Sequence, residues 1–179
     1  VIFSLSIDGP AEVNIYIRYS QKKLASFDNI CNFIDMFDMP NVQFLLSPTV
    51  MVYNIFSLDK LVEWWLYDMI PRYKNKVYLF PDVWLYNYVL FPEYLSLQSL
   101  QPNTIHELIN YYNEILQNKE YGHIFSNVIE VLKTTQYGGN VLHDQMVRYT
   151  TDMDKLKGQC VHTSVPELDN EMCYLNNNN

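Results

Sequence analysis

The order of apolar patterns constrains this chain more than any single residue: short β-rich runs alternate with helical stripes, and then helical stripes alone follow. Residues 1–7 form an apolar, β-branched run closed by Asp8-Gly9-Pro10, the turn chemistry expected where a strand ends, and predict a buried strand. Leu24, Phe27, Cys31 and Ile34 then recur at helical spacing and give one apolar stripe. A second β-rich run covers residues 42–53. After it, Asn54 and Ser57 offer N-cap oxygens before Leu58, Leu61, Trp64 and Trp65 resume helical periodicity. A third strand is expected within residues 73–91, which hold Val77, Tyr78, Leu79, Val83, Leu85 and Val89. Pro81 interrupts this run and favours its later part.

Beyond Pro102 the strand signal disappears. Asn103 or Thr104 caps a helix with the apolar face Ile105, Leu108, Ile109, Tyr112, Ile115 and Leu116. Ile124, Val128, Val131 and Leu132 form the next stripe, Gly138-Gly139-Asn140 breaks it, and residues 141–156 make another helix that stops at Gly158. Strands separated by helix-length connections, followed by a helical layer, predict an α/β fold with parallel strands and right-handed crossovers. Three parallel strands close nothing by themselves, so they fit half of a barrel or one flank of an open sheet. The expected division is residues 1–102 for the α/β part, 103–158 for the helical layer and 159–179 for a loose tail. Residues 1–6 are already a strand with no Met, cap or leader, which reads as a chain cut from something longer.

Composition narrows the function classes. With 179 residues, 49% hydrophobic and 15% aromatic, the chain can bury one sizeable core and is not a disordered segment. A formal net charge of −8 opposes a phosphate-binding face, so no direct nucleic-acid partner is expected; Lys22-Lys23 reads as a solvated pair. No apolar run has the length of a membrane helix and no signal-peptide order is visible, so no membrane is expected and the predicted location is cytoplasmic. Three cysteines, Cys31, Cys160 and Cys173, are too few for a secreted disulfide framework and predict reduced thiols.

In parallel α/β folds ligands meet the C-terminal ends of the strands. Those ends carry Ser6, Asp8 and Gly9, then Tyr53 and Asn54, then residues 87–92. Ser6 and Asp8 share a strand face, where a hydroxyl and a carboxylate suit a ribose or another diol; the same Ser-x-Asp also fits a plain helix cap, and spacing leaves both readings open. There is no nucleophile elbow, no phosphate-cradling glycine loop, no His-Glu-x-x-His and no Cys-x-x-Cys. His143-Asp144 reads as a satisfied surface pair. Cys160, His162 and Cys173 offer soft ligands on a segment that reads as mobile, and metal is not expected there. Glu12 with Asp8 is the carboxylate pair to weigh for a glycosidase, although nothing in the spacing sets their separation.

The strand end Ser6-Ile7-Asp8-Gly9, followed by Tyr16-Ile17-Arg18, resembles the middle of radical S-adenosylmethionine (radical SAM) enzymes that carry a twitch-type auxiliary cluster domain. The likeness continues through Asn29-Ile30, through Thr49-Val50 and Tyr53-Asn54-Ile55, and through Phe91-Pro92-Glu93-Tyr94-Leu95-Ser96 with Leu100. It ends with Tyr149-Thr150, Asp154-Lys155-Leu156 and Pro166-Glu167-Leu168. The resemblance covers nearly the whole chain, and it rests on the order of weak motifs. It implies a partial parallel (β/α) barrel, of which this chain holds strands four to six and the C-terminal helices. It implies the cofactors S-adenosylmethionine (SAM) and a 4Fe-4S cluster, with the cluster cysteines and the Gly-Gly-Glu turn in a missing N-terminal half. Carried over by position, Ser6 contacts the SAM ribose or carboxylate region, Arg18 its charged end, Asp8 shapes the turn, Asn54 lines the pocket near the ribose and backbone around residues 90–92 borders the adenine. Here the sixth strand carries an extra segment with Pro81, which unsettles its register.

The resemblance therefore implies a fragment of an enzyme that reductively cleaves SAM to a 5'-deoxyadenosyl radical for hydrogen abstraction from an unknown substrate, for which analogy with relatives suggests peptide or protein. The alternative is a non-catalytic α/β binding or interaction module that uses the Trp64-Trp65 helix as a docking face. A barrel glycosidase fragment is a third reading and requires convergent carboxylates. The edge of the first strand separates the first two readings, because a self-sufficient module covers or charges it.

Overall fold

The structure, a computed structural model, describes residues 1–18, 26–37, 41–73 and 78–173. Leu24 of the expected stripe, the Lys22-Lys23 pair, Val77 and the terminal asparagines lie outside the described residues. By its contacts the chain divides into two compact units, one of residues 1–49 and 57–87, the other of residues 50–56 and 88–179.

In the first unit, β1 (Ile2–Leu5), β2 (Gln43–Leu46) and β4 (Tyr78–Val83) form a parallel sheet in the order β1-β2-β4. β2 is the central strand and is buried throughout its last three residues. The β-rich run does not continue as one strand: Ser47-Pro48 breaks it, and β3 (Thr49–Val50) pairs instead with β5 (Asn87–Tyr88) in a separate two-stranded sheet. β4 occupies the earlier part of its run and contains Pro81. Its register to β2 slips between Phe44↔Leu79 and Leu46↔Val83, and a bulge is where a residue without an N–H is tolerated in a strand.

The expected partial (β/α) barrel, strands four to six of a larger cylinder, is overturned. The sheets are short and unclosed, and helices dominate the chain. A barrel requires a hydrogen-bond ladder that passes from strand to strand without interruption. Here it stops at β4 on one side and at β1 on the other, with no further strand joined to this sheet among the described residues. β1 is also not the buried strand its composition predicts: Ile2 is 59% exposed, as befits an edge.

Helices pack on this sheet because their apolar stripes demand it. α1 (Ala11–Ile17) buries Val13 and Tyr16, and α2 (Phe27–Asp35), capped by Ser26 Oγ accepting from Asn29 N, buries Cys31 and Ile34. Phe33, Phe37, Phe3 and Phe44 form an aromatic cluster with edge and offset contacts between 5.1 and 6.1 Å. α3 (Leu58–Glu63) runs through a π-helical stretch (Trp64–Met69) into α4 (Ile70–Tyr73). Trp65 is fully buried, and the half-buried Trp64 stacks on Phe27.

The second unit is helical. α5 (Pro102–Asn118) starts with proline in its first turn and buries Leu108, Tyr112 and Ile115. α6 (Ser126–Thr134) buries Val128, Ile129 and Leu132, and α7 (Asn140–Lys157) ends on the left-handed Gly158. Tyr112 stacks on Phe125 and donates its hydroxyl hydrogen to Ile55 O. The expected tail carries two further helices, α8 (Val161–Ser164) and α9 (Pro166–Cys173), which bury Val161, Val165 and Leu168.

Candidate functional site at the end of the first strand

Ser6, Asp8 and Arg18 come together, and the local sequence explains how. β1 stops at Leu5, the chain turns at Asp8-Gly9-Pro10, and the two turns of α1 return Arg18 to the strand end. Gly9 permits this tight return, because a Cβ there would stand 2.7 Å from Val13 Cγ1. Asn14 braces the turn by accepting from Asp8 N through Oδ1 at 2.9 Å.

Asp8 is buried and fully engaged. Its Oδ2 accepts from Arg18 Nε at 2.8 Å and lies 2.7 Å from Nη2, while Oδ1 accepts from Thr49 N at 3.0 Å. Arg18 Nη2 also donates to Ser6 Oγ at 2.9 Å. The Arg18 side chain is 32% exposed, and its Nη1 donors have no partner among the described residues. Close by in sequence order of the sheet, Ser47 N donates to Leu5 O and Ser47 Oγ accepts from Asn87 Nδ2 at 2.9 Å. The strand ends thus present a held guanidinium, a solvent-facing Ser6 hydroxyl and the amide of Asn87, a set that suits an anionic group beside neutral hydroxyls.

Asn54 belongs to the second unit. It is fully buried, and its Oδ1 accepts from Met51 N at 2.8 Å, closing the turn after β3. Leu90 and Phe91, expected near an adenine, are 80% and 88% exposed. Glu12 is exposed in the first turn of α1 while Asp8 is buried against Arg18, so the two make no acid-base pair.

His143 is not the surface residue its neighbour Asp144 suggests. It is 1% exposed, with Nδ1 2.9 Å from Ser99 O and 3.8 Å from Glu171 Oε2. Glu171 is 2% exposed, and among the described residues only Gln101 N, at 3.1 Å, donates to its Oε2. Burial pushes the Glu171 carboxyl above the usual carboxylate range, opposed by the Gln101 hydrogen bond and by His143 and reinforced by Glu107. The sequence carried no sign of this pair, since α9 falls in the stretch that reads as a tail.

The implied cofactors fit unequally. Among the described residues no group of three or more His, Cys, Asp or Glu side chains is placed to hold a metal ion, Cys31 is buried in α2 and Cys160 is exposed. These residues do not fit an iron-sulfur cluster. Ser6 and Arg18 do fit the polar end of a nucleoside-linked amino acid. No helix among the described residues is long and apolar enough to cross a membrane. No family model, curated protein or solved structure matches the chain.

Proposed function

We propose that the Ser6–Asp8–Arg18 cluster binds the charged end of SAM, in a cytoplasmic enzyme of the radical SAM class whose cluster ligands come from outside this chain. The observation that carries the reading is Arg18 Nη2, shared between Asp8 Oδ2 and Ser6 Oγ at the C-terminal end of a parallel strand. Asp8 fixes the guanidinium plane, leaving Nη1 to meet a carboxylate, while Ser6 can exchange its bond to Arg18 for one to a ribose hydroxyl. The edge of β1, which pairs with no further strand among the described residues, supports a partner segment that adds a strand there. Cys31 and Cys160 are free thiols, in keeping with a reducing compartment. The substrate is not specified by any of these features.

A second reading, a non-catalytic binding module, is favoured by one observation: every oxygen of Asp8 is already engaged within the chain, as in a purely structural tie. Isothermal titration of the chain with SAM separates the two. The cofactor reading expects saturable binding that Ser6→Ala weakens about threefold and Arg18→Lys about tenfold, the range of one lost neutral and one lost charged hydrogen bond. Absence of binding to the folded chain leaves the module reading in its place.

A further inference from the structure

Glu171 is 2% exposed and poorly solvated. Among the described residues its Oε2 has one donor, Gln101 N, and its buried Oε1 has none. Among the described residues the nearest group able to carry positive charge is His143 on α7, but at 3.8 Å it is beyond hydrogen-bond reach, and its Nδ1 is directed to Ser99 O. His143 Nε2 is likewise buried and without a partner among the described residues. The other neighbours do not help an anion. Glu107 on α5 adds negative charge, and Tyr137 feels both Glu171 and Asp144 while its hydroxyl donates to Asn140 Oδ1. α8 exposes its own His162. An ionised carboxylate normally requires several donors, so one that is enclosed with a single backbone N–H strains the seat of its helix.

We propose that the Glu171 carboxyl is a proton-operated latch for α9: the helix seats firmly when the carboxyl is protonated and is loosened when it ionises. A neutral carboxyl retains the bond from Gln101 N and removes the uncompensated charge beside Glu107. The sign follows from linkage. A carboxyl whose folded-state affinity for protons exceeds that of the unfolded chain contributes stability that is present below the ordinary glutamate range and is lost as pH rises through its folded value. The device is independent of the strand-end cluster, which lies in the first unit.

Hydrogen exchange of the whole chain, corrected for intrinsic rates, tests this between pH 5 and pH 8. The amides of α9 are expected to be about fivefold better protected at the acid end, a difference that Glu171→Gln abolishes by holding high protection at every pH. Protection of α9 that does not change with pH overturns the latch. A carbon-detected NMR titration of the Glu171 carboxyl in the unmodified chain decides the matter even if the variant fails to fold. A midpoint above the ordinary glutamate value supports the latch, and one at or below it overturns it.

Discussion

Arg18 follows Asp8 by ten residues, and its Nε and Nη2 both meet the same carboxylate oxygen, Oδ2, at 2.8 and 2.7 Å. The other oxygen takes the backbone N–H of Thr49, so one buried side chain ties β1, α1 and the segment after β2.

Removing the cation leaves that carboxylate with a single donor. Arg18→Ala is expected to cost about 2 kcal/mol of unfolding free energy, below the ~3–5 kcal/mol typical of a broken, fully buried pair because Arg18 is partly exposed and water can reach its place. Asp8→Asn in the same background is expected to restore part of the loss, since an amide oxygen still accepts from Thr49 N. Urea titrations of the two single variants and the double variant measure the coupling. Additive losses would remove the tie from the account.

The turn has its own steric test. Gly9→Ala places a methyl 2.7 Å from Val13 Cγ1 and 2.9 Å from Val13 Cβ, atoms close to the backbone of α1 that cannot swing away. The expected cost is about 1–3 kcal/mol, the range of overpacking. Val13→Ala removes the obstructing methyls, so thermal unfolding of the Gly9→Ala, Val13→Ala double variant should show a smaller loss than the sum of the single variants.

Some of this organisation is legible in the sequence because it is local. The stripe with Cys31 and Ile34, the breaks at Gly138-Gly139 and Gly158, and the turn at Asp8-Gly9 depend on residues a few positions apart. Ser6, Asp8 and Arg18 converge because one short helix separates them, whereas Thr49, forty-one residues from Asp8, carries no sequence mark of its role. The barrel expectation fails for a different reason. Alternating β-rich and helical patterns fix the parallel pairing of β1, β2 and β4, but they do not fix whether a ladder closes, and Ser47-Pro48 and Pro81 interrupt it where it would have to continue. The burial of His143 is not legible in the sequence because it depends on α9, a helix of weak amphipathicity in a segment rich in polar residues.

The most direct test of the proposed function is an NMR titration that follows the Arg18 Nε–H and the Ser6 amide while SAM is added to the chain. The account predicts saturable shifts at both positions, with Arg18 moving most and Asn54, enclosed in its own turn, unmoved. If Arg18 and Ser6 stay fixed at saturating SAM while the chain remains folded, the cluster is a structural tie alone and the cofactor reading is contradicted.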